Sequence, residues 1–159
     1  MRTGRRHPLK LTDEARAAAA RCLEAVGFDP GLAAAAVAGA TVETEIAQSV
    51  AWAAWHRPVL YVAARAPVVG ITLGSTIYLR GAKHLANWPL TVHELVHVAQ
   101  YARDGHPRFL ARYGADYLSG RMRGAAWREA YEDIRDEQQA RAAESVARQR
   151  ACPAAPWWC

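Results

Sequence analysis

The first quarter of the chain is alanine-rich, with polar residues interleaved, and it lacks the bulky alternation of a strand. Runs such as "ARAAAARCLEAV" and "GLAAAAVAGA" favour helix through intrinsic propensity rather than through large core side chains. Thr12 is a candidate N-cap, with Asp13 and Glu14 in the first turn, where carboxylates favour the helix dipole. The spacing predicts a helix from there to about Val26, closed by Gly27. Asp29 and Pro30 restart the pattern as a cap followed by proline at the first helical position. A second helix is expected to continue through "VETEIAQSVAWAAW" as far as Pro58.

From Pro58 the pattern changes. "VLYVAARAPVVGITLGSTIYLRG" is rich in Val, Ile, Thr and Tyr and is punctuated by Pro67, Gly70, Gly74 and Gly81, which predicts two or three short strands with turns. In "STIYLR", Ile77 and Leu79 are expected to cover the core while Thr76, Tyr78 and Arg80 face water. Such a strand could also be an edge to which an extended peptide adds. "NWPLTVHELVHVAQYARDG" then reads as a helix capped by Asn87 and closed by Gly105. "PRFLARYGADYLSGRM" gives another, and "GAAWREAYEDIRDEQQARAAESVARQRA" a long last one with an interruption near Asp133 to Asp136.

These elements give an α+β, mainly α chain with a short β-sheet before the "HELVH" helix. At 159 residues it is read as one domain, large enough to bury a core unaided. Residues 1–11 form a basic lead-in, 12–57 the N-terminal helices, 58–150 the sheet and later helices, and 151–159 a Cys/Trp tail. Trp52, Trp55, Trp88 and Trp127 fall in helical patterns and are assigned to the core, whereas His7, His56 and His84 have no partners at ligand spacing.

The net charge of +5 is almost all arginine, since Lys10 and Lys83 are the only lysines. The arginines are interleaved with acids, which favours solvated helix faces over a nucleic-acid surface. No apolar run reaches transmembrane length, and no apolar stretch follows the basic start as a secretory signal requires. The expected location is cytoplasmic, or outside the cell by export without a classical signal peptide. Cys22 reads as a small core residue. Cys152 and Cys159 could pair in an oxidising compartment, or their tail could cover a cleft.

The chemistry sits in "TVHELVHVAQY". His93 and His97, four apart on a helix, can aim two imidazole nitrogens at one ion. Glu94 follows the first histidine, where it can reach water at that ion without binding the ion itself. A catalytic zinc needs a third protein ligand. His106 lies just past Gly105, out of place for a short-spaced third histidine. Glu129, Glu132 and Glu137 remain, and spacing does not separate them. Glu129 has Asp133 one turn on, able to orient a histidine, while Glu137 has Arg141 one turn on, as a surface ion pair would.

The stretch from about residue 67 to 140, roughly half of the chain, resembles the contractile injection system core domain, a small zinc-peptidase-like domain of the gluzincin group. The matching segments are "ITLGSTIYLR", "TVHELVHVAQY", "GHPRFLARYGADYL" and "AYEDIRDEQQA". The resemblance implies a zincin-like fold and zinc-dependent peptide hydrolysis. It implies His93, His97 and Glu137 as zinc ligands and Glu94 as general base. A peptidase of this kind also needs an oxyanion donor; Tyr131, Tyr113 and Arg112 are available, and we take Tyr131 as catalytic. The chain departs from the family pattern at Gln139, where a second glutamate is frequent, and at Arg135, where proline is common. The implied partners are a peptide or protein substrate and components of secretion or injection machinery. The rival readings are a non-catalytic or self-processing zincin-like module of such machinery, and a basic nucleic-acid-binding domain.

Overall fold

The computed structural model describes residues 7–44 and 69–150. Its elements run β1 (His7–Pro8), α1 (Asp13–Ala25), α2 (Pro30–Gly39), β2 (Thr41–Glu43), β3 (Gly70–Leu73), β4 (Thr76–Leu79), a 3-10 turn (Ala82–Ala86), α3 (Trp88–Asp104), α4 (His106–Met122), α5 (Trp127–Glu132) and α6 (Arg135–Gln149). It is mainly helical with a small mixed sheet.

The helix ends follow local chemistry. Thr12 accepts the Ala15 N–H through its hydroxyl, and Gly27 takes a positive φ of 96° past the end of α1. The Asp29 carboxylate accepts N–H groups from Gly31 and Leu32. Asn87 caps α3 by accepting from Leu90, and Gly105 at φ 72° ends it. The break expected near Asp133 separates α5 from α6: the Asp133 N–H still bonds to Glu129, while Ile134 turns extended and is fully buried.

The four strands lie in the order β1-β2-β4-β3. β3 and β4 form an antiparallel hairpin, with Ile71 opposite Tyr78 and Thr72 opposite Ile77. β2 runs parallel to β4, pairing Val42 with Ile77, and β1 closes the far side. Thr41–Glu43 is therefore a strand, not the continuation of the helix expected through residue 57. Helix α2 stops at Gly39, Ala40 turns extended, and the β-branched Thr41 and Val42 pair with the hairpin. Residues 45–57 of that expected helix, the segment 58–68, and the tail with Cys152 and Cys159 lie outside the described residues, as do Trp52, Trp55 and His56.

Three other expectations are corrected. Residues 7–11 are not a loose lead-in: β1 pairs, and Leu9 and Leu11 are buried in the core. "STIYLR" is interior rather than an edge, flanked by β2 and β3, so Thr76 and Tyr78 are buried along with Ile77 and Leu79. Among the described residues the edge beside α3 is β3. Trp127 is 55% exposed rather than core. Helix α5 is anchored through fully buried Ala130, packed so close to Gly120 that a Cβ there would stand 3.0 Å from the Ala130 Cβ, and Trp127 lies at the helix's first position. Trp88 is buried as expected.

Helix α3 is the central element. It packs on α6, on α2 and on the β3–β4 hairpin, and also touches α1 and α4. A helix covered on so many sides must be apolar around most of its girth. Val92, Leu95, Val96, Val98, Ala99 and Tyr101 meet that requirement. Glu94, His97 and Gln100, which it buries along with Thr91, therefore need polar partners. None of the described helices is long and apolar enough to cross a membrane.

Candidate metal centre

His93 and His97 project from the middle of α3 towards the first turn of α6, where Glu137 is almost fully buried. Nε2 of His93 lies 3.3 Å from Nε2 of His97. The Glu137 carboxylate faces both, with Oε1 3.3 Å from His97 Nε2 and Oε2 3.5 Å from His93 Nε2. Two donors each about 2.0–2.1 Å from a tetrahedral ion stand about 3.4 Å apart, so the histidine pair, and each histidine with its nearer Glu137 oxygen, are at spacings that suit zinc. These three residues could hold a metal ion. Glu137 Oε2 is moreover buried without a hydrogen bond, an uncommon and costly state for a carboxylate oxygen. The donor set and the orphaned oxygen both fit a metal.

The first turn of α6 is fixed by its neighbours. Asp136 takes a bidentate bond from Arg112, both contacts at 2.9 Å, and Arg135 forks onto Asp116, also at 2.9 Å twice. Position 135 is the first of the helix, where proline is welcome; here the arginine's ion pair takes that place. Gln139 donates to the Val26 carbonyl and accepts from Gln100. Gln100, fully buried, also donates to the Asp136 carbonyl, and its Oε1 lies 2.8 Å from His97 Nδ1. With the proton held on Nδ1, the Nε2 lone pair of His97 is free for an ion.

Glu94 lies outside the triangle. Its Oε2 accepts from the Thr72 hydroxyl at 2.7 Å, and the carboxylate is buried under β3. A Cβ on Gly70 would stand 2.6 Å from Glu94 Oε1, so β3 makes room for this carboxylate by using glycine there. Tyr113 donates to Glu137 Oε1 at 2.6 Å. Tyr131 stands among the same groups: burial, the Glu137 carboxylate and Glu94 raise its hydroxyl pKa well above the usual range. Arg112, by contrast, is committed to Asp104 and Asp136.

The competing glutamates are elsewhere. Glu129 is exposed and caps its own helix by accepting from the Ala126 N–H, and Asp133 is exposed too. Glu132 pairs with Arg128 and Arg141, so Arg141 leaves Glu137 alone. His106 is exposed beside Gly74. Sequence reasoning missed Glu144, whose Oε2 lies 3.3 Å from His93 Nδ1, in ion-pair range though off the line of a hydrogen bond. The available signal was its position seven residues after Glu137, on the same helix face. Thr72 was also missed, because nothing local marks a strand threonine as a partner for Glu94.

Burial pushes the His93 imidazolium towards losing its proton, but the carboxylates of Glu137, Glu144 and Glu94 outweigh it and hold its pKa at about 10. His97 is raised by Glu137 against the same desolvation. Glu137, despite burial, is held well below the carboxylate range by the two imidazoles. At pH 7.5, below the raised pKa, the metal-free His93 carries a proton that an incoming ion must displace. Zinc binding is therefore expected to release about one proton or more and to tighten as pH rises. Calorimetry checks this: the apparent enthalpy is more exothermic in Tris than in phosphate, and equal enthalpies would refute it.

No family model, curated protein or solved structure matches the chain.

Proposed function

We propose that the chain is a zinc-dependent peptidase of zincin-like fold, akin to the contractile injection system core domain. The observation that carries this reading is the buried triangle of His93, His97 and Glu137, at tetrahedral donor spacing, with Glu94 beside it but not in it. A structural zinc site would be closed by a fourth protein ligand; among the described residues this group offers three.

A zinc ion there supplies Lewis-acid chemistry, acidifying water and polarising a carbonyl. The chain's own residues do the rest. Glu94 takes a proton from the attacking water as oxygen bonds to the scissile carbonyl carbon. It then passes that proton to the nitrogen as the C–N bond breaks. Thr72 holds the carboxylate in place for both transfers. Tyr131, kept protonated by burial and neighbouring carboxylates, donates to the oxygen where negative charge develops. β3, whose outer side is unpaired among the described residues, can receive an extended peptide as a further strand beside Glu94.

The arginines support a protein rather than a nucleic-acid partner. Arg16, Arg103, Arg112, Arg128, Arg135, Arg141 and Arg148 all have carboxylate partners within ion-pair distance. The burial of Glu94 and His97 favours one second reading, a module that processes only its own chain within secretion machinery.

The test is a mass-spectrometric screen of the zinc-loaded chain against a mixed-sequence peptide pool. Internal cleavage is expected, lost on chelation and restored by zinc. Cleavage confined to the chain itself would shift the reading to the self-processing module. Absence of both zinc uptake and cleavage would refute the peptidase.

A further inference from the structure

The two oxygens of Glu137 are not equivalent. Each faces an imidazole, Oε1 at 3.3 Å from His97 Nε2 and Oε2 at 3.5 Å from His93 Nε2, but Oε1 accepts the Tyr113 hydroxyl at 2.6 Å whereas Oε2 is buried without a hydrogen bond. A short hydroxyl bond draws electron density from the oxygen that accepts it and leaves the other as the stronger donor. We propose that Tyr113 is a positioning residue that makes Glu137 a one-oxygen ligand through Oε2, so that the ion keeps an open coordination position. This rests on the metal-binding reading above and deepens it.

The placement of Tyr113 is over-determined. Arg112 pairs with Asp136 and Tyr113 with Glu137, two adjacent contacts between α4 and α6, and Asp116 with Arg135 adds a third. Their spacing leaves little room to slide α4 along α6. On its other side the Tyr113 ring packs on Phe109, with centroids 5.5 Å apart, and Phe109 in turn meets His97 at 6.3 Å. Without this hydroxyl Oε1, already 3.3 Å from His97 Nε2, is free to join Oε2 on the ion. A two-oxygen carboxylate with two histidines fills four positions before any water or substrate arrives.

The experiment is cobalt substitution of wild type and Tyr113→Phe, with zinc affinity measured by competition against a chromophoric chelator. Phenylalanine keeps the ring on Phe109 and removes only the hydroxyl. The wild type is expected to show the intense visible bands of four-coordinate cobalt. The variant should show weaker five-coordinate bands and bind zinc about tenfold or more less tightly. Loss of packing alone would not change the coordination number. Identical spectra and affinities in both would overturn the role of Tyr113 while leaving the metal site standing. A wild type that takes up neither metal would overturn both. Should the variant fail to fold, a crystal structure of the zinc-loaded wild type decides: bonding to the ion through Oε2 alone supports one-oxygen ligation, and bonding through both Glu137 oxygens or through Oε1 contradicts it.

Discussion

Replacing Glu137 by alanine is expected to strip zinc from the protein, while replacing Glu129 leaves the zinc in place. The two glutamates are eight residues apart in sequence and occupy different environments. Glu137 is 1% exposed and faces both histidine Nε2 atoms, whereas Glu129 is exposed and caps its own short helix. Removing a ligand should weaken zinc binding beyond the roughly 100-fold that loss of an outer partner causes. Removing Glu129 should cost about 0.5–1 kcal/mol of helix capping and no metal. Glu137→Gln separates ligand loss from folding, because it keeps the shape and can still accept from Tyr113. Zinc content after dialysis against a competing chelator is the readout, alongside thermal unfolding of the metal-free forms. Full zinc occupancy in both Glu137 variants, or its loss in Glu129→Ala, would refute the assignment.

This contrast also shows where local sequence stops being informative. Thr12, Asp29, Asn87 and Gly105 were legible because a cap acts within four residues. The histidine pair was legible for the same reason, one helical turn being a local distance. β2 was not: Thr41–Glu43 becomes a strand only because residues 76–78 lie alongside, and an alanine-rich approach reads as helix until that partner is known. The same non-local pairing turned "STIYLR" from an edge into the sheet interior. For the third ligand, spacing left Glu129, Glu132 and Glu137 open, and the choice of Glu137 came from resemblance alone. What physically distinguishes it is the break at Ile134, whose burial redirects the chain and puts Glu137 in the first turn of a new helix. The partners of the site, Thr72, Tyr113 and Glu144, come from three elements that the sequence does not place together.

Glu94→Gln is expected to separate hydrolysis from metal binding. The side chain stays outside the donor triangle, so zinc occupancy should match wild type. The amide is nearly the same size, which matters because Gly70 and Thr72 leave Glu94 a close-fitting seat. An amide oxygen can still accept from the Thr72 hydroxyl, so the local fold should persist. What the variant loses is a basic oxygen able to take a proton from water and return it to the departing nitrogen. That transfer is worth about 10²–10⁴ in rate, and cleavage of the fastest peptide from the screen should fall by that factor. Zinc loss in Glu94→Gln would place Glu94 among the groups that hold the ion. Undiminished cleavage would mean that another residue moves the proton, or that the activity belongs to a contaminant. Because Glu137 comes from α6 and the Thr72 partner of Glu94 from β3, two different neighbours of α3, the two losses can be separated. A variant that keeps its zinc and stops cutting would show that the histidines and the glutamate in "HELVH" serve different steps of one reaction.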